Sequence, residues 1–327
     1  MHQDHPTTPS RLPVRLRRLT PWLLAAVWLA GSGCSVKKMA VNKLGDALAG
    51  GGTTFASDDD PELVKAAVPF SLKLIESLLA ESPRHRGLLQ AAASGFTQYS
   101  YAFVQPEADL VEDTDFTKAS AIRDRAARLY LRAKGYGLRG LALKRPDFAA
   151  ELAREPGLAV RPFKAADVPL LYWTAAAWGA AISLSKDKPE RVAELPQVEA
   201  LIDRALELDE RFDSGAIHAF LIPFEMGRQG AGGAPAERAR GHYLRAMELS
   251  GGGSAAPLVS YAESVCVQQQ DLAQFKNLLE QALKVDPNTR PEWRLANLVA
   301  QDRARWLLGR VDELFLTDGQ PDSEKEE

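Results

Sequence analysis

The chain has 327 residues, of which 46% are apolar and 25% are charged, and its formal net charge is −3. Residues 1–33 contain four Arg and one Asp, so the formal charge of the remainder is −6, which argues against nucleic acid as a partner. The five histidines are scattered without metal-ligand spacing, so neither a metal nor another cofactor is expected. Abundant alanine and leucine with few β-branched residues favour helices over strands.

The first 33 residues have the order of a secretory signal. Basic residues between Arg11 and Arg18 precede a short apolar stretch, Trp22–Ala30, and small residues then lead to Cys34. A signal that ends on cysteine is similar to a bacterial lipoprotein signal, in which Cys34 becomes the lipidated first residue of the mature protein. Gly31 departs from that pattern, since leucine usually stands there. The competing interpretation is ordinary cleavage nearby, which leaves Cys34 a free thiol.

The predicted domain boundaries follow the composition. Residues 1–33 are the predicted signal peptide, 34–60 the anchor and linker, 61–317 the helical domain, and 318–327 a disordered acidic tail. Ser35 follows the cysteine, and the lack of an aspartate at that position points away from retention in the inner membrane. The expected location is the periplasm, with a lipid anchor in the outer membrane.

The first predicted helices alternate with strongly charged segments. Apolar residues at steps of three and four predict a helix that starts at Pro61, and a second helix is predicted over Arg86–Gln105. The acidic segment Glu107–Asp115 comes next, followed by the basic helix Lys118–Arg145, in which Gly135–Gly140 predicts a break. We interpret the basic helix as a solvated face that the acidic segment partly neutralises. The functional alternative is docking of an acidic partner or of anionic head groups.

The most apolar segment is Pro169–Ser185, which has no charged residue and in which Tyr172, Trp173 and Trp178 interrupt a run of alanines. On a helix its apolar residues surround the whole circumference, so other protein must cover it on every side. At ~1.5 Å per residue the helix is about 25 Å long, which is marginal for a membrane span. We therefore predict that this segment is the central helix of an all-α protein and not a transmembrane helix.

The remaining sequence is predicted to form helices over Pro189–Phe212, Ser214–Arg228, Pro235–Leu249, Ala255–Gln270, Asp271–Val285 and Glu292–Phe315. Three of them close on a similar pattern around Ala205, Ala246 and Ala282, which lie 41 and 36 residues apart. Tetratricopeptide repeats recur at ~34 residues, and insertions account for the longer intervals. The sequence therefore predicts an all-α fold of tetratricopeptide-like stacked helical hairpins that form one curved helical domain.

Three stretches carry a resemblance to a known family. They are CSVKKMAVNKLGDALAGGGTTFASDDDPELVKAAVPFSLKLIESLLAESPRH from Cys34 onward, GFTQYSYAFVQ at Gly95–Gln105, and YWTAAAWGAAISL at Tyr172–Leu184. The chain resembles the lipoprotein T-component family of TRAP (tripartite ATP-independent periplasmic) transporters over nearly the whole mature part. The resemblance implies a helical, tetratricopeptide-like protein on a lipid anchor in the periplasm, associated with the solute-binding P-component. It also implies a pore-like apolar channel between the helices.

Six aromatic residues are the candidates for lining a channel or a ligand site: Tyr99, Tyr101, Phe103, Tyr172, Trp173 and Trp178. Tyr and Trp combine an apolar body with a polar tip, which suits a pocket that orients a small organic molecule. The alternative for each of these residues is an ordinary place in the helix-packing core.

The sequence contains no serine elbow, phosphate-binding loop or metal-ligand set. Cys266 lies between two valines and is interpreted as a core residue, and His218 as a packing or capping residue. We therefore predict a non-catalytic accessory of solute uptake that binds a solute-binding protein and a small organic ligand, with homo-oligomerisation left open. The alternative is a general cell-envelope scaffold lipoprotein without ligand binding. An enzyme would require His218 or His242 to cluster with carboxylates in a deep cleft.

Overall fold

A computed structural model gives the structure of residues 42–47 and 53–316, and every regular element in these two ranges is helical. The all-α prediction is therefore confirmed. The predicted signal peptide, Cys34 and the predicted acidic tail lie outside the described residues.

Helices of six or more residues are numbered in chain order: α1, residues 42–47; α2, Pro61–Glu81; α3, Arg86–Tyr99; α4, Gln105–Val111; α5, Phe116–Ala142; α6, Phe148–Arg154; α7, Val168–Ser183; α8, Leu195–Leu208; α9, Ala216–Gly227; α10, Pro235–Ser250; α11, Ala256–Tyr261; α12, Leu272–Lys284; and α13, Arg294–Leu308. Shorter α-helical turns occur at Thr53–Ala56, Pro156–Ala159, Pro189–Val192, Val267–Gln269 and Val311–Leu314. Turns of 3₁₀ helix precede α7, α9 and α13 at Ala165–Asp167, Phe212–Gly215 and Pro291–Trp293, and π-helical turns follow α3 and α11 at Ser100–Val104 and Ala262–Cys266.

Three helices begin at an aspartate that caps them. The carboxylates of Asp60, Asp115 and Asp271 each accept a hydrogen bond from the backbone N–H three residues later, at 3.0, 2.9 and 2.9 Å. Each bond satisfies an N–H group that has no partner within the helix, and loss of such a cap typically costs ~1 kcal/mol. The predicted helix start at Pro61 is confirmed, since α2 begins at this residue. Proline suits the first helical position because the backbone N–H that it lacks would have no partner within the helix there.

The helix predicted over Arg86–Gln105 extends further than expected. After α3 the chain passes through the π-helical turn Ser100–Val104 directly into α4, so it stays helical to Val111. The N–H of Gln105 donates to the carbonyl oxygen of Ser100, five residues back, and Pro106 has no N–H to donate at all. Such a turn changes the direction in which side chains leave the helix. Tyr101 lies within it.

The predicted break at Gly135–Gly140 is wrong, because α5 runs through all of these residues without interruption. Gly137 lies where α5 crosses α7, and a Cβ at that position would stand 2.1 Å from Oγ1 of Thr174. Glycine lowers the stability of a helix by roughly 1 kcal/mol relative to alanine. Here the contact that it permits between two long helices outweighs that local penalty.

The predicted central helix is observed as α7. It packs against α3, α5, α8 and α9, so neighbouring helices cover it on several sides. Leu170, Leu171, Ala175 and Ala177 have no exposed surface. This environment agrees with an apolar circumference that needs protein all round it. No helix in the described ranges is long and apolar enough to cross a membrane.

The repeated alanines mark places where paired helices come close. Ala205 of α8, Ala246 of α10 and Ala282 of α12 are all buried. Along the chain α8 packs on α7, α9 on α10, α11 on α9 and α10, and α12 on α11 and α13. Successive helices therefore stack side by side, as expected for helical hairpins in series.

The last helices of the stack contact the first ones. The last long helix, α13, contacts α2 and the turn Thr53–Ala56. Arg303 of α13 donates to Asp109 of α4 at 2.7 Å, and Arg310 pairs with Asp113. The series of helices therefore closes on itself, and we call the inner side of this ring the lumen.

Candidate functional site

Tyr101 identifies the wall of the lumen. The residue exposes 63% of its surface to solvent, yet burial raises the pKa of its phenol. Glu263 and Arg303 of the closing elements act on the Tyr101 phenol, and Tyr101 in turn acts on the Tyr172 phenol of α7, so Tyr101 faces the inner side of the ring of helices.

Tyr172 lies close to both Tyr101 and Asp213. Tyr172 is only 9% exposed, and burial, the Asp213 carboxylate and Tyr101 together raise the pKa of its phenol. The centroid of the Tyr172 ring is 4.8 Å from that of Trp173 and 5.3 Å from that of Phe212. These contacts join α7 to the 3₁₀ turn before α9 in one aromatic wall with a carboxylate at its edge.

An ion-pair cluster on the closing helices adjoins the same tyrosine. Arg303 donates to Asp109 at 2.7 Å and also pairs with Glu263, which lies in the π-helical turn after α11. Glu263 raises and Arg303 lowers the pKa of Tyr101, after the larger effect of burial. The two carboxylates occupy the guanidinium of Arg303, so its charge is neutralised within the protein.

The six aromatic residues predicted to line a ligand site do not form one cluster. Tyr101, Tyr172 and Trp173 belong to the lumen wall described above. The Tyr99 and Phe103 rings pack against each other at 6.0 Å, and Phe103 is 9% exposed. Trp178 is engaged elsewhere, as shown by two contacts: its Nε1 donates to Glu194 at 2.6 Å, and the Lys134 ammonium lies 3.4 Å from its ring centroid.

Three further lumen residues were absent from the sequence prediction: Asp213, Glu263 and Arg303. For Asp213 a local signal exists, because Asp-Ser-Gly at 213–215 is a turn composition. No comparable signal marks Glu263 or Arg303. Both look like ordinary surface charges on helices until the ring of helices brings them together.

The basic helix is partly neutralised, as predicted. Arg123 of α5 donates to Glu112 at 2.8 Å and to Asp109 at 3.2 Å. Both carboxylates belong to the acidic segment that precedes the helix. These contacts favour the interpretation of a solvated, locally paired face over that of a free cationic surface.

Cys266 and His218 occupy packed positions, as predicted. Cys266 is fully buried, and burial raises the pKa of its thiol to about 12, which suppresses the nucleophilic thiolate at neutral pH. His218 is 6% exposed, and its Nδ1 lies 2.9 Å from Nδ1 of His242, with Glu210 at 3.6 Å from its Nε2. The pair joins α9 to α10, so His218 contributes to the packing between these two helices.

Neither a metal centre nor the outer surface offers a stronger site. In the part of the chain that the structure describes, no group of three or more His, Cys, Asp or Glu side chains could hold a metal ion. A depression of about 180 Å³ on the surface is lined by residues that include Arg145, Glu151 and Leu158. Arg145 and Glu151 pair with each other at 2.7 Å, so the main charges of this depression are already satisfied.

A closed ring of stacked helices whose inner side carries aromatic and ionisable side chains defines an all-α helical-repeat protein. The family model of the TRAP transporter T-component matches residues 57–315, and the chain belongs to this family. A protein of Treponema pallidum (strain Nichols), described as uncharacterized, is 27% identical over 303 residues, covering 87% of this chain and 94% of that protein. The family is one of accessory transport components and not of enzymes.

Proposed function

We propose that this protein is a lipid-anchored periplasmic accessory of a TRAP transporter that binds the solute-binding P-component and holds a small organic ligand in its lumen. Membership of the T-component family supports the association with a transporter. The observation that carries the ligand-binding part is Tyr101, which is 63% exposed although burial raises the pKa of its phenol. In this proposal the protein recognises molecules and does not make or break bonds.

The chemistry of the wall supports an organic ligand. Tyr101, Tyr172 and Phe212 present ring surface, and the two phenols are protonated at neutral pH, as tyrosines ordinarily are. Such a wall offers apolar area together with a few polar groups that orient the bound molecule. The contacts of α13 with the first helices close the ring on whose inner side we place these groups.

Exposed apolar side chains support a protein partner. Leu63 and Phe70 of α2, Leu110 of α4 and Phe116 at the start of α5 are all exposed. A salt bridge of 3.1 Å between Lys65 and Glu107 joins α2 to α4, and α4 packs on α5. Large apolar side chains on neighbouring exposed elements are typical of protein-binding surfaces. We assign this surface to the P-component.

The anchor is proposed from the sequence around Cys34, with the outer membrane as its site. Metabolic labelling with palmitate, followed by membrane fractionation, tests it. We expect the label on the wild-type chain and on the Cys266→Ser control, and its complete loss from Cys34→Ser. Labelling that persists in Cys34→Ser, or a mature protein that keeps its leader in the cytosol, would contradict the anchor.

Partner and ligand binding are tested separately. Affinity purification from envelope extract should recover a periplasmic solute-binding protein, and Phe70→Ala should weaken the recovery while Leu158→Ala, in the surface depression, should not. A lipophilic fluorescent probe should bind the wild-type chain, and Tyr101→Ala should weaken that binding at least fivefold while Leu158→Ala leaves it unchanged. Recovery of the partner without any probe binding would favour the scaffold alternative. Failure to recover a solute-binding protein would count against the transporter role.

A further inference from the structure

The 3₁₀ turn before α9 holds Asp213 in an unusual backbone conformation. Asp213 has φ 45° and ψ 48°, Ser214 has φ 53° and ψ 35°, and Gly215 has φ 99°. Left-handed backbone is unfavourable for residues with a Cβ, and it persists only where the surrounding structure enforces it. A Cβ on Gly215 would stand 3.2 Å from Leu249 Cβ, so the turn packs closely against α10 at this residue.

Within residues 42–47 and 53–316, the Asp213 carboxylate accepts no hydrogen bond and forms no ion pair, and the side chain is exposed. Burial nevertheless raises the pKa of this carboxyl. Asp213 thus resembles Tyr101, whose side chain is exposed and whose pKa is raised by burial. The other carboxylates near this wall, Asp109 and Glu263, are both paired with Arg303.

Two aromatic residues, Phe212 and Tyr172, lie next to Asp213. Phe212 precedes it and contacts the Tyr172 ring at 5.3 Å, and the influence of Asp213 on the pKa of the Tyr172 phenol shows that these two groups are close. A carboxylate beside aromatic faces attracts an organic cation twice, through the ion pair and through cation–π contact. An anionic ligand would be repelled by the carboxylates of Asp213 and Glu263. The guanidinium of Arg303 would not offset this repulsion, because it is already paired with Asp109 and Glu263.

We propose that Asp213 is the specificity-determining residue of the lumen and binds the protonated amine of an organic ligand whose apolar body lies against Tyr172 and Tyr101. The inference rests on the ligand binding in the lumen proposed above and adds the chemical class of the ligand. The turn that clamps Asp213 keeps its carboxylate at the wall before any ligand arrives, so little reorganisation is needed on binding.

Three small probes with the same ring test this assignment: phenethylammonium, the uncharged 2-phenylethanol and the anionic 3-phenylpropionate. Their dissociation constants for the full chain are measured by calorimetry at neutral pH and low salt. We expect phenethylammonium to bind at least tenfold more tightly than 2-phenylethanol, and 3-phenylpropionate to bind most weakly. Asp213→Asn should remove the advantage of the amine and leave 2-phenylethanol unchanged.

Asparagine suits this position because it tolerates left-handed backbone, so the turn should survive the substitution. Asp124→Asn removes the same charge from an exposed position on α5 and should leave all three affinities within twofold. If 2-phenylethanol binds as tightly as the amine, or if Asp213→Asn leaves the amine affinity unchanged, the assignment is overturned while ligand binding in the lumen stands. If none of the probes binds, both proposals are overturned.

Discussion

Gly137→Ala tests how closely α5 and α7 cross. The added Cβ would stand 2.1 Å from Oγ1 of Thr174, 3.0 Å from its Cβ and 3.3 Å from its Cα. The Thr174 hydroxyl is itself held, because it donates to the Leu170 carbonyl oxygen at 2.5 Å within a buried helix. The strain must therefore be relieved by separating the two helices, and overpacking of this kind typically costs ~1–3 kcal/mol.

Gly135→Ala on the same helix is the matched control. A Cβ at Gly135 meets nothing within 4 Å, so this variant should show only the gain in helix propensity, up to ~1 kcal/mol. Because both substitutions gain that amount, the difference between their free energies of unfolding isolates the steric term, ~1–3 kcal/mol. Urea denaturation followed by far-UV circular dichroism measures both values. Gly135→Ala should lie above the wild type and Gly137→Ala below Gly135→Ala.

The steric reasoning predicts a rescue. Thr174→Ala removes the atom nearest to the new Cβ, so it should cost less stability in the Gly137→Ala background than in the wild type. A double-mutant cycle measures this coupling. If Gly137→Ala unfolds at the same urea concentration as Gly135→Ala, α5 and α7 cross less closely than described, and the steric account of Gly137 is refuted.

Three further predictions concern ring closure, the histidine pair and the thiol. Arg303→Met removes the ion pair of Glu263 and leaves Asp109 paired with Arg123 alone, so it should lower the free energy of unfolding by ~1–2 kcal/mol, whereas Arg305→Met, whose ion pair with Asp302 is exposed, should stay within ~0.5 kcal/mol in the same urea titration. Burial lowers the pKa values of His218 and His242 below 6.5, so the unfolded chain binds more protons below about that pH. Stability should therefore fall as the pH drops from about 6.5 toward 5, and the double substitution of both histidines by Gln should flatten this part of the profile; an unchanged slope would contradict it. The buried Cys266, whose thiol pKa is raised to about 12, should react with Ellman's reagent only at the rate of unfolding, and rapid labelling of native protein would show that the site is open.

The candidate site was only partly predictable from the sequence. Tyr172 and Tyr101 could be selected because aromatic residues among small ones stand out in a linear pattern. Trp178 stood out for the same reason, yet Glu194 and Lys134 engage its indole, and nothing near Trp178 in the sequence pattern reports these contacts. The residue types in a sequence indicate which side chains could bind a ligand. They do not indicate which of these side chains already form hydrogen bonds or ring contacts within the protein.

Local properties were determined by the sequence alone. Helix content and the start at Pro61 depend on residues within one or two turns of each other, as do the capping aspartates. The apolar circumference of α7 predicted its burial for the same reason. The segment Gly135–Gly140 shows the limit of this reasoning. The low helix propensity of glycine predicted a break there, whereas the close contact between α5 and α7 requires glycine at position 137 within a continuous helix.

The lumen was decided by the tertiary structure. Arg303 and Asp109 are 194 residues apart in the chain, and they meet only because the stacked helices curve far enough for the last to reach the first. Asp213 comes to lie beside Tyr172 through the packing of a 3₁₀ turn against a different helix. Small rotations between successive helices add up around the ring, and no short stretch of sequence encodes their sum.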